Sequence, residues 1–196
     1  MEGSAGRHEE VLVSRGWKTL TWCAGVTQRI SLVRSLHGDG PRRLTSAEFA
    51  TVRAVALGAG AKQAAAELGV EWATARTRLS RALHKLGLRG CSQLPGFWHA
   101  LSGQPSSERL SNGTELLIFE ARCLDDAVAA ALTGAERDLL LAVLAGLGTA
   151  QIAERRNTSV HTVANQLAIL FRKFRASTKG ELASRALLLD RKRPAT

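Results

Sequence analysis

The chain has 196 residues, 45% of them hydrophobic, enough for one large core or two small ones and unlike a disordered tail. A formal charge of +10 and a pI near 10.7 point to a polyanionic partner, nucleic acid first, because neutralising phosphates releases condensed counterions; a cationic solvated or membrane-facing surface has the same balance. The odd, widely spaced Cys23, Cys91 and Cys123 exclude a disulfide framework or a metal-ligand spacing, and no run reaches about 18 apolar residues, so a reduced cytoplasmic protein without export signal, membrane contact or metal is expected.

In chain order, Glu10 to Ser14 and Trp17 to Cys23 flank Arg15-Gly16 and predict a first hairpin. An amphipathic helix is expected over 27–36, followed by a loop from His37 to Arg43. A first helical module occupies 44–101, and the polar stretch Ser102-Gly-Gln-Pro-Ser-Ser107 marks a boundary. A second hairpin over 108–120 turns at Asn112-Gly113, the strongest short hairpin signal, and a short helix over 124–132 opens with Asp125 and Asp126. A second helical module follows over 132–190. The hairpins align with each other at an offset of 97, equating Leu20 with Leu117 and Trp22 with Phe119, and are expected to pair or to pack on helices, since an isolated hairpin is marginal in water.

The two helical modules say nearly the same thing. At an offset of 88, residues 44–88 match 132–176 without a gap, sharing Leu44/Leu132, Thr45/Thr133, Glu48/Glu136, Gly58/Gly146, Gln63/Gln151, Thr74/Thr162, Leu79/Leu167 and Lys85/Lys173. The change of offset from 97 to 88 implies a nine-residue difference between hairpin and module in the two halves. Charge follows the repeats: residues 44–89 hold seven Lys/Arg against three acids and 132–177 hold six against three, whereas 90–131 hold two against five.

Each module opens on the capping box S/T-x-x-E, at Thr45/Glu48 and Thr133/Glu136. An apolar-periodic helix, a glycine break and a short helix follow, then a tight turn at Gly69 or Asn157, where a left-handed residue is wanted. The last long helix buries a stripe: Ala75, Leu79, Ala82 and Leu86 in the first copy; Val163, Leu167, Leu170 and Phe174 in the second.

This pattern resembles the LuxR-type (GerE-type) helix-turn-helix domain. Leu132-Thr-Gly-Ala-Glu136, Gln151-Ile-Ala-Glu154, Ser159-Val-His-Thr-Val163 and Leu170-Phe-Arg-Lys-Phe174 fall where that family has its opening box, scaffold helix, recognition-helix start and basic helix end, and 177–189 resembles its fourth helix. The resemblance implies a bacterial transcription regulator that lays the helix after the turn in the major groove of duplex DNA. It places Thr74, Arg76, Thr77, Arg78, Ser80 and Arg81 at or beside the groove in the first copy, with Lys62 and Lys85 near phosphates. In the second copy Asn165 and His161 can still touch bases, Thr162 and Gln166 are further candidate DNA contacts, and the charge is pushed to Arg172 and Lys173.

The second copy replaces Arg76, Thr77 and Ser80 with Ala164, Asn165 and Ala168, and Arg81 with Ile169; Ile169 and Phe171 look like packing residues. That predicts either an asymmetric site with one strong half or a second repeat turned into an interaction surface. Pro95-Gly96 predicts a short or remodelled fourth helix in the first copy, with Phe97 and Trp98 in core or inter-repeat packing rather than stacked on bases.

The expected fold is mainly α with two small β-hairpins, duplicated as hairpin, helix and helix-turn-helix over 1–103 and 104–196, forming a pseudo-dimer. The expected function is a nucleoid-associated DNA-binding regulator without cofactor, a pseudo-dimeric monomer or a homodimer. The competing reading is a protein-binding adaptor or antagonist of another regulator or of RNA polymerase. The region-4 domain of sigma factors is similar too, without its promoter-melting companion. No phosphate loop, nucleophile motif or paired carboxylates suggest an enzyme.

Overall fold

The computed structural model describes residues 12–13, 18–24, 27–34, 43–122, 124 and 126–188. The turn expected at Arg15-Gly16, most of the loop from His37, and Cys123, Asp125 and Leu189 lie outside the described residues. Helices dominate, around one small antiparallel sheet. Strands β1 (Lys18–Ala24) and β2 (Thr27–Arg34) precede helices α1 (Ser46–Ala56), α2 (Ala61–Glu67) and α3 (Trp72–Lys85). A 3-10 turn, Cys91–Gln93, leads into α4 (Leu94–Leu101); β3 (Ser106–Arg109) and β4 (Glu115–Arg122) follow. The chain continues through α5 (Asp126–Ala130), α6 (Gly134–Leu144), α7 (Thr149–Arg155), α8 (Val160–Phe174) and α9 (Lys179–Leu188).

The second hairpin sits where its turn signal places it. Gly113 takes φ 78°, the Asn112 side chain accepts the Thr114 N–H at 3.0 Å, and Arg109 pairs with Glu115 in the ladder. The first hairpin is displaced. Its strands are β1 and β2, which pair from Lys18↔Val33 to Ala24↔Thr27, Leu12 and Val13 take no part in the sheet, and Thr27–Arg34 of the helix expected over 27–36 is instead β2. The segment carries both a helical spacing (Ile30, Val33) and an alternating one (Ile30, Leu32), so periodicity alone does not decide it. The decision comes from β4, whose free edge needs hydrogen-bond partners that β2 supplies. The two hairpins do pair, in the order β1-β2-β4-β3.

The register of that central pairing corrects the offset of 97. In the β2–β4 ladder Thr27 pairs with Arg122, Ile30 with Phe119 and Arg34 with Glu115. Residues 27 and 34 lie 88 before residues 115 and 122, so exchanging the two strands leaves the ladder unchanged. At that spacing Ser31, not Trp22, stands 88 residues before Phe119, and no nine-residue difference is left: α1 starts at Ser46 and α6 at Gly134, again 88 apart.

Local geometry recurs at the same spacing. Both capping boxes form, Thr45 with Glu48 and Thr133 with Glu136. Three left-handed residues close helices in each half: Gly58 and Gly146, Gly69 and Asn157, Gly87 and Arg175. Behind each, an N–H reaches back five residues to a carbonyl, as in Val70 to Ala65 at 3.0 Å and Thr158 to Ala153 at 2.9 Å. An ion pair then ties the end of the long helix to the start of the opening one, Lys85 to Glu48 at 2.6 Å and Lys173 to Glu136 at 2.9 Å.

Among the described residues two apolar clusters result, one over Leu12 to Leu101 together with Phe119 and one from Leu124 to Ala186. Phe119 of β4 is buried in the first, so the sheet stitches second-half chain into the first-half core. The fourth helix of the first half is remodelled as Pro95-Gly96 predicts: a 3-10 turn, then eight residues with Pro95 in the first turn. It is apolar nearly all round because α1, β2, β4 and α9 all pack on it. Phe97 and Trp98 are core residues, Trp98 lying 5.7 Å from Phe49 between ring centroids.

Each helical part lays a side chain against a glycine of the other. A Cβ on Gly146 would stand 2.6 Å from the buried Gln93 carboxamide, and one on Gly58 would stand 2.8 Å from Ser184 Oγ. Gln93 and Glu181 are themselves 88 apart and do the same job, accepting the backbone N–H of Arg89 at 2.6 Å and of Ser177 at 2.8 Å.

Two outcomes follow for stability. Gly146→Ala meets both a positive φ and the Gln93 side chain, and should lower unfolding free energy by about 1–3 kcal/mol, whereas Gly134→Ala, with open space and a helical position, should be neutral or stabilise by up to about 1 kcal/mol; urea titration of the two compares them. Burial works to raise the pKa of Glu48, but hydrogen bonds from Lys85 and Thr45 outweigh it and hold the carboxyl below its ordinary 4.5. That stabilisation is complete above the ordinary value and is lost as pH falls through the lowered one. Glu48→Gln should cost about 1 kcal/mol at pH 7 and flatten the acid limb of the stability profile below about pH 4.5.

Candidate functional site

The two longest helices, α3 and α8, are each supported on one side and open on the other. Ala75, Leu79 and Ala82 of α3 and Val163, Leu167 and Leu170 of α8 are buried, as their spacing predicts, with Leu86 buried beyond α3 and Phe174 half-buried. The short helices α2 and α7 brace them through Ala64 and Ala65, and through Ile152 and Ala153. The tight turns at Gly69 (φ 62°) and Asn157 (φ 47°) then aim each long helix outward. Ser159 caps α8 by accepting the Thr162 N–H at 3.0 Å, whereas Glu71 makes no side-chain cap for α3.

On α3, Thr74, Arg76, Thr77, Ser80 and Arg81 are exposed together, and Arg78 is half-buried on the flank. The Arg76 guanidinium carbon lies 5.5 Å from the centroid of Trp72, a cation–π contact that limits its rotamers. The Thr77 hydroxyl donates back to the Ala73 carbonyl at 2.9 Å, which uses its hydrogen and leaves the oxygen able only to accept. Lys62 is exposed on α2. Lys85, expected at a phosphate, instead spends its ammonium on Glu48, which is a consequence of the long helix ending over the capping box.

On α8, His161 and Asn165 are exposed and their Nε2 and Nδ2 atoms lie 3.3 Å apart. Thr162 is exposed with its hydroxyl 2.8 Å from that of Ser159, and Gln166 accepts a bond from Arg156 at 2.8 Å, which ties it to the end of α7. Arg172 is exposed; Lys173 donates to Glu136 and to the Ala131 carbonyl at 3.0 Å, so like Lys85 it braces the fold. Lys179 lies apart from this face, bonded to Leu147 and Thr149, and burial lowers its pKa.

Apolar side chains also belong to this surface, although nothing in their sequence spacing marks them as exposed. Of the five large hydrophobics exposed among the described residues, three lie on α3 and α8: Trp72, Val160 and Ile169. Ile169, expected to pack, is 44% exposed, because it follows Asn165 on the open face and not Leu167 on the supported one; Phe171 does pack, against the second core. Trp72 stands three residues before Ala75, in line with the buried stripe, which hides it from a periodicity argument. As a first-turn residue it leans toward the N-terminus of its helix.

Among the described residues no group of three or more His, Cys, Asp or Glu side chains is placed to hold a metal ion, and no helix is long and apolar enough to cross a membrane. A shallow cleft lined by Leu57, Pro95, Trp98, Ser184 and Leu187 lies on the seam between the halves, away from α3 and α8 surfaces. No family model, curated protein or solved structure matches the chain.

The division between the two faces can be measured. Alanine at Arg81, Asn165 or Ile169 should change unfolding free energy by no more than about 0.5 kcal/mol, and Leu79→Ala or Leu167→Ala should cost about 2–5 kcal/mol.

Proposed function

We propose that this protein is a duplex-DNA-binding regulator whose two halves arose by internal duplication and act as the covalently joined halves of a dimer. The observation that carries the reading is the outward face of α3, where Arg76, Thr77, Ser80 and Arg81 stand together on a rigidly braced helix that follows a tight turn. Such a helix fits the major groove, and an exposed arginine fork can bond guanine O6 and N7 together. The recurrence of boxes, turns and ion pairs 88 residues on, and the self-complementary β2–β4 ladder, support a two-fold relation between halves. Dimeric readers of this kind meet half-sites about 34 Å apart. The net charge of +10 supplies attraction to the phosphate backbone.

A second reading is favoured by one observation: Val160, Ala164, Ala168 and Ile169 are exposed on α8, an uncharged surface that also suits another regulator or RNA polymerase.

Selection from a random duplex pool across a salt series separates the readings. The wild type should enrich defined sequences, and Arg76→Ala/Arg81→Ala should lose at least about tenfold in affinity for them while keeping weak, salt-sensitive binding. If the wild type enriches nothing at any salt concentration, the protein-binding reading replaces this one.

A further inference from the structure

We infer that the two halves read different base pairs, α3 a guanine-bearing half-site and α8 a half-site of adenine and thymine, so that the preferred duplex is asymmetric. The inference rests on the DNA-binding reading above and goes beyond it by assigning a chemistry to each half-site.

The groove-facing positions carry opposite equipment. On α3 the exposed groups that can bond a base edge are dominated by Arg76 and Arg81, and an arginine presents two parallel donors that match the two acceptors of guanine, N7 and O6. Arg76 is partly pre-oriented over Trp72. On α8 no Lys, Arg, Asp or Glu occurs from Val160 to Phe171, so that stretch has no guanidinium fork for guanine and no carboxylate for cytosine.

What α8 does present is Asn165, whose carboxamide carries an acceptor beside a donor. That pair complements the donor and acceptor of adenine, N6–H and N7. The next turn of the same face offers Ala168 and Ile169, three and four residues further on, both exposed. The apolar feature of the major groove is the thymine C5 methyl, which stands on the partner of every adenine. Asn165 with Ala168 and Ile169 thus matches an adenine and neighbouring thymine methyls at once. The same contacts give Ile169, at 44% exposure, a partner that water does not supply.

The corresponding positions make the contrast direct. Thr77 stands where Asn165 does and turns its hydroxyl back to the Ala73 carbonyl, while Arg81 stands where Ile169 does. A duplicated scaffold has therefore kept its braces, Lys85 and Lys173, and changed its reading groups.

The test begins with the sequences that the full chain enriches from a random duplex pool. Two unlike half-sites about 10 base pairs apart are expected, one containing guanine and one of A·T pairs. Asn165→Ala should lose about tenfold or more in discrimination at the A·T half-site and leave the guanine half-site unchanged. Ile169→Arg should shift the second half-site toward guanine. Replacing thymine by deoxyuridine in the A·T half-site removes only the C5 methyls, and should weaken wild-type binding severalfold while the same replacement elsewhere has no effect. Thermal melting of each variant checks folding, which these exposed positions should preserve. Two like half-sites, a single guanine half-site, or indifference to deoxyuridine would each overturn the inference while leaving a DNA reader. Failure to enrich any duplex would overturn the reading beneath it.

Discussion

The antiparallel pairing of β2 with β4 joins the first half of the chain to the second. A covalent tether alone would leave two helical modules free to tumble. Here the join is a ladder that looks the same from either side, and a seam to which both halves contribute. The β2–β4 pairing maps onto itself under exchange of strands, and each half lays a side chain, Gln93 or Ser184, against a left-handed glycine of the other. A self-complementary ladder of this kind is what a two-fold dimer makes between separate subunits. Gly146 and Gly58 are required twice over, by backbone handedness and by the space that their partners occupy.

Given a fixed join, each module must also hold its own long helix in place. It does so with inexpensive local devices: a capping box, three left-handed terminators and one lysine that returns to the capping glutamate. These bind the long helix to the opening helix at one end and to the short bracing helix at the other. The face left over is therefore free to change without loss of stability. In the proposed reading this is why arginines can occupy one face and Asn165, Ala168 and Ile169 the other on nearly identical frames.

Much of the helical part is legible in the sequence because its signals are local. Thr45 and Glu48, Gly69 and Asn157, and the Leu79 and Leu167 stripes each act within a few residues of themselves. Asn112-Gly113 is likewise a local signal and marks its turn. What the residues do not reveal is settled by distant partners. Thr27 to Arg34 becomes a strand because β4, some 88 residues away, has an edge to fill. Lys85 looks like a phosphate ligand until the fold brings Glu48 to 2.6 Å, and Ile169 looks like core until the supported side of α8 is known. Trp72 is hidden for the reverse reason, since its spacing agrees with a buried stripe that does not extend to the first turn.

In the proposed function one chain presents two reading helices, held in fixed relation, to one duplex. Hydroxyl-radical footprinting of a selected duplex, with the stoichiometry of the same complex measured by analytical ultracentrifugation, decides whether it does. One chain per duplex, protecting two segments about one helical turn apart on the same face, is the predicted result. One protected segment per chain, or two chains needed to protect both, would contradict it.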